Sequence, residues 1–198
     1  MGVILLDKNF DVCSMPIDDY RSFIWQSNWA KCGNFSLFLK HDYFQAVKNA
    51  RYVYQSEEGE TAVIEIIDYS GEGSKTNFYV KGRDINALMY DCVVSRPFTL
   101  RGNLETEIRR LVQQIAIKDP TQKIQKLQLG ALNGYTESID MQITGAELGS
   151  ALYSILNPYG MSWKLRHDFE NDCLVFQILK GTDRTQAQIK NAWAVFST

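Results

Sequence analysis

The chain has 198 residues, of which 45% are hydrophobic and 22% charged, and its formal net charge at pH 7 is −2. This composition is typical of a globular protein with one large domain or two small ones. Acidic and basic residues are mixed without a basic stripe, which argues against stable binding to nucleic acid. No apolar run approaches the roughly 20 residues that span a bilayer, and the start MGVILLDKNF lacks the basic segment of a signal peptide. The sequence therefore predicts no membrane insertion.

The first hundred residues are predicted to form an antiparallel sheet. Segments that alternate apolar and polar residues, or are apolar throughout, lie at 3–7, 20–29, 35–39, 51–55, 62–68 and 77–81. Turn-forming segments at 57–60 and 69–74 separate later members of this series, as in a β-meander. The number of strands predicts a closed or half-closed barrel over residues 1–102.

The hydrophobic period changes after residue 84. Asp84 is placed to cap a short helix over 85–90, and 93–100 is a further strand. A stripe beginning at Leu104 predicts a helix that Asn103 caps and Asp119-Pro120 ends. A second helix is predicted to begin at Thr144, which forms a capping box with Glu147.

The remaining pattern completes a small α/β unit. Residues 139–143 alternate as a strand, and 163–179 form a hairpin that turns at 169–172. The predicted fold is thus α+β and β-rich, with residues 103–180 inserted into the barrel as helix, strand, helix and hairpin. Residues 181–198, with a strand pattern over 192–197, are predicted to return to the barrel or to start a second one.

The sequence contains no recognisable catalytic or metal-binding motif. The two histidines, His41 and His167, stand apart, with His41 in a predicted surface turn, and no GxSxG or HExxH motif is present. Residues 71–76 resemble a phosphate loop, but a strand follows them, so a hairpin turn is predicted. The cysteines at 13, 32, 92 and 173 are too widely spaced for a zinc knuckle and are predicted to be buried thiols. We predict no enzyme activity, no metal and no cofactor.

Two junctions stand out as structural corners. Lys81-Gly82-Arg83-Asp84 joins a strand to a short helix, and Gly181-Thr182-Asp183-Arg184-Thr185 leaves a strand for a loop. Each glycine is expected to supply a positive φ, and each arginine to pair with a nearby aspartate or a backbone carbonyl. The alternative role for these residues is contact with a ligand or a partner. The predicted junction residues are Gly82, Arg83, Asp84, Gly181, Asp183 and Arg184.

The same junctions belong to an ordered set of motifs. The set comprises residues 3–7, Trp25…Trp29…Gly33-x-Phe35-x-Leu37, Gly82-Arg83-Asp84, the capped helix over 104–117, Gly160-x-x-Trp163, and Gly181-x-Asp183-Arg184-Thr185…Ala194-Val195-Phe196-Ser197. With it, the chain resembles siphophage tail proteins of the gp-thirty-seven-like type, which are related to tail-hub proteins and tail-associated lysins. The motifs span nearly the whole chain in the expected order.

The resemblance implies a structural role in the tip or baseplate hub of a phage or prophage tail. In such hubs a β-barrel is interrupted by an α/β insert, a second barrel follows in longer members, and subunits form trimeric rings. The implied partners are other tail proteins and further copies of the chain. The implied location is the virion, after assembly in the host cytoplasm. The alternatives are a carbohydrate-binding module at the tail tip or a cell-wall lytic enzyme, although lytic activity in relatives belongs to downstream domains.

Overall fold

The computed structural model describes residues 2–29, 31–70 and 77–181. Its largest element is a six-stranded antiparallel sheet that curls into a half-barrel, with strand order β1-β4-β5-β6-β3-β2. The strands are β1 Val3–Leu6, β2 Ser22–Gln26, β3 Asn34–Leu39, β4 Tyr52–Gln55, β5 Glu60–Ser70 and β6 Asn77–Asp84. A 3-10 turn, His41–Tyr43, and helix α1, Phe44–Asn49, connect β3 to β4. The predicted β-rich fold with a barrel-like sheet is confirmed.

The two faces of this sheet pack against different parts of the molecule. The concave face, here called the core face, holds a hydrophobic cluster that includes Leu5, Leu37, Val53 and Phe78. Because side chains alternate across a strand, the neighbouring residues point to the opposite, outer face. Over β1, β4 and the first part of β5, this outer face is buried in a second cluster, which it shares with the α/β unit. The sheet there separates two hydrophobic clusters.

The α/β unit follows β6 and contains three short helices and seven strands within the described residues. They are α2 Ala87–Tyr90, β7 Val93–Val94, β8 Phe98–Asn103, α3 Leu104–Val112, β9 Leu127–Leu129, β10 Ser138–Ile143, β11 Ala146–Glu147, α4 Leu148–Leu156, β12 Met161–Asp168 and β13 Cys173–Lys180. A π-helical turn, Gln113–Lys118, extends α3, and a 3-10 turn, Asn157–Tyr159, follows α4. The strands pair as β8–β10, β7–β11 and β12–β13–β9, and only β13–β9 is parallel.

Helix α3 forms as its sequence predicts. The Asn103 side-chain Oδ1 accepts a hydrogen bond from the Thr106 N–H at 3.0 Å, so the predicted cap is confirmed. Leu104, Ile108 and Leu111 form a buried stripe against the second cluster. The helical path ends at Lys118, directly before Asp119-Pro120.

The predicted start of the second helix is wrong, because residues assigned to its first turn form strand β11 instead. Helix α4 begins at Leu148, and Glu147 makes no side-chain cap. Instead, β11 pairs with β7, and the Leu148 N–H donates to the Cys92 carbonyl at 2.7 Å. The Glu147 carboxylate accepts the hydroxyl of Ser150, so the capping box with Thr144 does not form.

Three smaller predictions also need correction. The helix after Asp84 begins at Ala87, because β6 continues to Asp84 itself. The predicted strand over 93–100 is divided into β7 and β8 around Pro97. Among the cysteines, Cys92 and Cys173 are buried as predicted, whereas Cys13 is exposed and Cys32 half-buried. The boundary at residue 103 stays a prediction, since β7 and β8 precede it yet pair with β11 and β10.

Candidate functional site

The first predicted junction lies where the sheet meets the α/β unit, and Gly82 is required there for space. Strand β5 has an irregularity in its register between Ile64 and Ile66, and Gly82 pairs with Ile64 beside it. A Cβ atom at Gly82 would lie 1.9 Å from the Val63 carbonyl oxygen and 3.1 Å from the Phe35 ring. The φ of Gly82 is not positive, so the predicted reason for the glycine is wrong. Close approach of the two strands is the actual reason.

Arg83 pairs with acidic groups on the outer face, at the edge of the area that the α/β unit covers. Its Nε and Nη2 atoms donate to Glu65 Oε1 at 2.8 and 2.6 Å, and Nη2 lies 3.9 Å from Asp91 Oδ1. The hydrogen bonds that Arg83 donates to the Glu65 carboxylate raise the pKa of Arg83. The expected ion pair is present, but its main partner is a glutamate 18 positions away in the chain.

Asp84 is a buried carboxylate that joins the segment before β3 to the turn that follows β6. It accepts hydrogen bonds from the Gly33 N–H at 2.7 Å, the Asn86 N–H at 3.0 Å and the Cys32 thiol at 3.0 Å. Burial and then the Asp84 charge raise the pKa of Cys32, which keeps this thiol protonated and unreactive. Asp84 thus fixes the start of β3 against the end of β6.

Asn86 and His167 carry the connection into the α/β unit. The side-chain Oδ1 of Asn86 accepts the Leu165 N–H at 2.7 Å, and His167 Nδ1 lies 2.9 Å from Thr61 Oγ1. Burial lowers the pKa of His167, so the ring is neutral at pH 7. These polar contacts place β12 in a fixed register across β5 and α2.

Of the second predicted junction, Gly181 contacts the turn after α4 and the segment after β2. The Gly181 N–H donates to the Gly160 carbonyl at 2.9 Å, and a Cβ atom at Gly181 would lie 3.5 Å from the Trp29 ring. Its φ is also not positive, contrary to the prediction. Trp29 in turn accepts a hydrogen bond from the Ser162 hydroxyl at its carbonyl. Asp183 and Arg184, like the strand predicted over 192–197 and the turn over 71–76, lie outside the described residues.

Glu105 is a second buried carboxylate, and sequence reasoning assigned it only to the positive end of α3. Its oxygens accept the backbone N–H groups of Asn133, Gly134 and Tyr135 at 2.7, 2.9 and 3.1 Å. Burial raises the pKa of Glu105, but these hydrogen bonds outweigh it and hold the pKa below its usual range. The sequence signal for this role was weak: only the turn-forming Asn133-Gly134 pair marks a loop in need of an anchor.

The rest of the outer face carries an exposed apolar surface, here called the outer patch. The register brings Ile24, Ile66, Phe38 and Tyr79 together on this face. Ile24 and Ile66 are 56% and 55% exposed, and the rings of Phe38 and Tyr79 stack at 4.3 Å. Lys81 lies between Ile66 and Ser36 in the same cross-strand row, and it forms an ion pair with Asp68 at 2.9 Å. Exposed apolar side chains interleaved with polar ones are typical of a surface that binds another protein.

The described residues do not assemble a recognisable catalytic centre. His41 lies in an exposed 3-10 turn, far in sequence from the buried His167, and no group of three metal-ligating side chains occurs in the described part of the chain. In the same residues, no helix is long and apolar enough to cross a membrane. The polar contacts join the six-stranded sheet to the α/β unit, and part of the outer face of the sheet stays exposed.

The curled half-barrel with its small α/β unit is a fold shared with solved tail proteins. The chain is similar to prophage tail protein gp18 from Listeria monocytogenes EGD-e, with 12% identity over 89% of this chain and 50% of that one, and a TM-score of 0.57. It is similar to the tail protein from Neisseria meningitidis MC58, with 16% identity, the same shares covered and a TM-score of 0.56. Residues 3–198 match the family described as Siphovirus ReqiPepy6 Gp37-like protein, and the chain belongs to that family.

Further similarity extends to a chain in the structure of a PdpA–VgrG complex, with 14% identity over 96% of this chain and 36% of that one, and a TM-score of 0.50. The chain spans about half the length of the two solved tail proteins. No curated protein matches the sequence closely enough to count as a relative. The family and the fold give no support to the carbohydrate-binding or lytic alternatives.

Proposed function

We propose that the chain is a structural component of a phage or prophage tail, located in the hub at the tail tip or baseplate, and that it is not an enzyme. The observation that carries this proposal is the family match over residues 3–198, which covers both the half-barrel and the α/β unit. The buried carboxylates support it, because Asp84 and Glu105 are fully used in holding distant loops. A protein whose charged groups anchor its own layers suits a load-bearing assembly.

The proposed partners are further copies of the chain, as a trimer, and neighbouring tail proteins. The outer patch is the surface that we assign to these contacts. It is open beside the area that the α/β unit covers, and Ile24 and Ile66 would bury apolar area in a subunit contact. The proposed location is the virion, with assembly in the host cytoplasm.

The oligomeric state of the 198-residue chain tests the contact surface. Light scattering behind size exclusion, over concentrations up to the order of millimolar, is expected to show a trimer or a hexamer that is ring-shaped in negative stain. Ile66→Glu places a charge in the outer patch and is expected to yield monomers. The matched control is Leu132→Glu, since Leu132 is 65% exposed in a loop outside the patch. Monomers at every concentration, or equal assembly of both variants, would contradict the assignment.

The location has its own test. Immunogold labelling of purified phage particles with an antibody to the chain is expected to mark the tail tip. Label on the capsid, or particles that lack the chain by mass spectrometry, would contradict the tail assignment independently of the oligomer result.

A further inference from the structure

The loop between β9 and β10 contains Asn133-Gly134, the one Asn-Gly pair in the sequence. Asparagine loses its side-chain amide readily before glycine, because glycine has no Cβ to shield its backbone nitrogen. The deprotonated backbone nitrogen attacks the asparagine Cγ, the bond from Cγ to Nδ2 breaks, and the amide nitrogen takes up a proton and leaves as ammonia. Water then opens the cyclic succinimide to aspartate or isoaspartate. The loop therefore carries a pair of residues that can react with each other.

One carboxylate holds both nitrogens that take part in this reaction. Glu105 Oε2 accepts the Gly134 N–H at 2.9 Å, and Glu105 Oε1 accepts a hydrogen bond from Asn133 Nδ2 at 3.2 Å. The same Oε1 accepts the Asn133 backbone N–H at 2.7 Å. The Ile178 carbonyl in β13 also accepts a hydrogen bond from Asn133 Nδ2, at 3.1 Å. The attacking nitrogen and the leaving nitrogen are thus both bound.

These contacts oppose the reaction at both nitrogens. Glu105 is buried, and its negative charge beside the Gly134 N–H disfavours a second negative charge on that nitrogen. The hydrogen bonds from Asn133 Nδ2 oppose rotation of its side chain, and they must break before ammonia can leave. The closed loop therefore disfavours both the attack and the departure of the amide.

The product of the reaction does not fit the same contacts. Conversion of Asn133 to aspartate or isoaspartate replaces the donor Nδ2 by a carboxylate oxygen, which would face Glu105 Oε1 and the Ile178 carbonyl. Acceptors would then lie against acceptors, and two negative charges would be close together. A loop that carries the product is therefore disfavoured in the closed position.

We propose that Asn133 is a latent deamidation site, which Glu105 keeps unreactive while the loop is closed. Once the loop opens and Asn133 reacts, the new carboxylate prevents the loop from closing again. Water is the only co-reactant that this conversion needs. The inference rests on contacts within the α/β unit, so it is independent of the proposed role in a phage tail.

Peptide mapping by mass spectrometry measures the conversion of Asn133 in the 198-residue chain. The folded chain and the same chain unfolded in guanidinium are incubated at equal pH and temperature. We expect Asn133 in the folded chain to deamidate at least about tenfold more slowly, because only the open loop reacts. Equal rates in the two samples would overturn the proposal, and this comparison needs no variant.

Glu105→Gln tests the carboxylate itself. The substitution keeps the size of the side chain and removes its charge, and we expect it to speed deamidation of Asn133 in the folded chain at least about fivefold. The matched control is Glu107→Gln in the same helix. The Glu107 carboxylate accepts hydrogen bonds from Arg101 and Arg110 and none from the loop, so this variant is expected to match the parent chain. Equal rates in the two variants, each folded by circular dichroism, would contradict the role of Glu105.

Asn133→Asp tests the consequence of the reaction, because it installs one of the two products. Hydrogen–deuterium exchange is expected to be at least about tenfold faster than in the parent chain for the backbone amides of residues 133–135. Amides of β12 are expected to stay unchanged. Retained protection of residues 133–135 would show that the product leaves the loop closed, and it would overturn that half of the proposal.

Discussion

Asp84 in the half-barrel and Glu105 in the α/β unit are two buried carboxylates that do similar work in different settings. Asp84 accepts backbone N–H groups from Gly33, 51 positions away, and from Asn86, two positions away. Glu105 accepts three consecutive N–H groups of one loop, 28 to 30 positions away, that begins at Asn133. Asp84 joins strands that already pair with each other, whereas Glu105 holds a loop that lies outside the paired strands.

The two regions differ in how much their local structure depends on one carboxylate. Around Asp84, the β3–β6 ladder continues to hold the same segments if the carboxylate is lost. Around Glu105, three N–H groups would be left without an anionic acceptor at once. We therefore expect the α/β unit to be the more fragile of the two regions toward loss of one carboxylate.

Replacement of Glu105 is expected to have the largest effect. Glu105→Ala should lower the free energy of unfolding by about 3 kcal/mol, because buried donors lose a charged acceptor. Urea denaturation measures the loss. The control is Glu107→Ala in the same helix, which removes the pair with the half-exposed Arg110 and one hydrogen bond from the Arg101 N–H, and about 1 kcal/mol is expected. Equal losses in the two variants would contradict the anchoring role of Glu105.

Replacement of Asp84 is expected to cost less. Asp84→Ala should lower the free energy of unfolding by about 2 kcal/mol, since strand pairing retains part of the junction. Hydrogen exchange separates the two carboxylates by location: Asp84→Ala is expected to expose the Gly33 amide, and Glu105→Ala the amides that follow Leu132. If either variant loosened both sites equally, the two regions would be one cooperative unit.

The pH dependence of stability distinguishes the contribution of the buried His167 from that of Glu105. The pKa of His167 is lowered in the folded chain, so the unfolded chain binds a proton first and stability falls as pH drops below about 6.5. The pKa of Glu105 is also lowered, and its contribution is present above about 4.5 and is lost as pH falls through the folded pKa. We expect His167→Gln to flatten the first phase and Glu105→Gln the second, each by at most about 1.4 kcal/mol per pH unit. A first phase unchanged in His167→Gln would show that another group controls it.

The smallest effect is expected at Arg83. Its pair with Glu65 is partly exposed, so Arg83→Gln should change the free energy of unfolding by less than about 1 kcal/mol. A loss as large as that of Asp84→Ala, measured in the same urea titration, would mean that the ion pair and not the buried carboxylate holds the junction.

Local patterns predicted much of this structure. The stripe and cap of α3, the β12–β13 hairpin and the strands of the half-barrel follow from period and turn residues close in sequence. The errors arose where a distant partner decided the outcome. Thr144 and Glu147 form a plausible capping box until β7 pairs with β11, and Gly82 resembles a turn glycine until Val63 is seen beside it. For the same reason the roles of Glu105 and Asn86 could not be predicted, since their partners lie 28 to 79 positions away.

The burial of the outer sheet face by the α/β unit has a consequence for the order in which the molecule is made. Thr61 and His167 touch across 106 positions of sequence, so the outer face over β1, β4 and β5 is complete long before its cover exists. At typical rates of translation that delay is on the order of ten seconds. Throughout it, Leu6, Tyr52 and Val63 lack the later residues of the cluster that buries them in the finished chain. We expect this stage, at the ribosome, to be the point at which the chain depends most on chaperones.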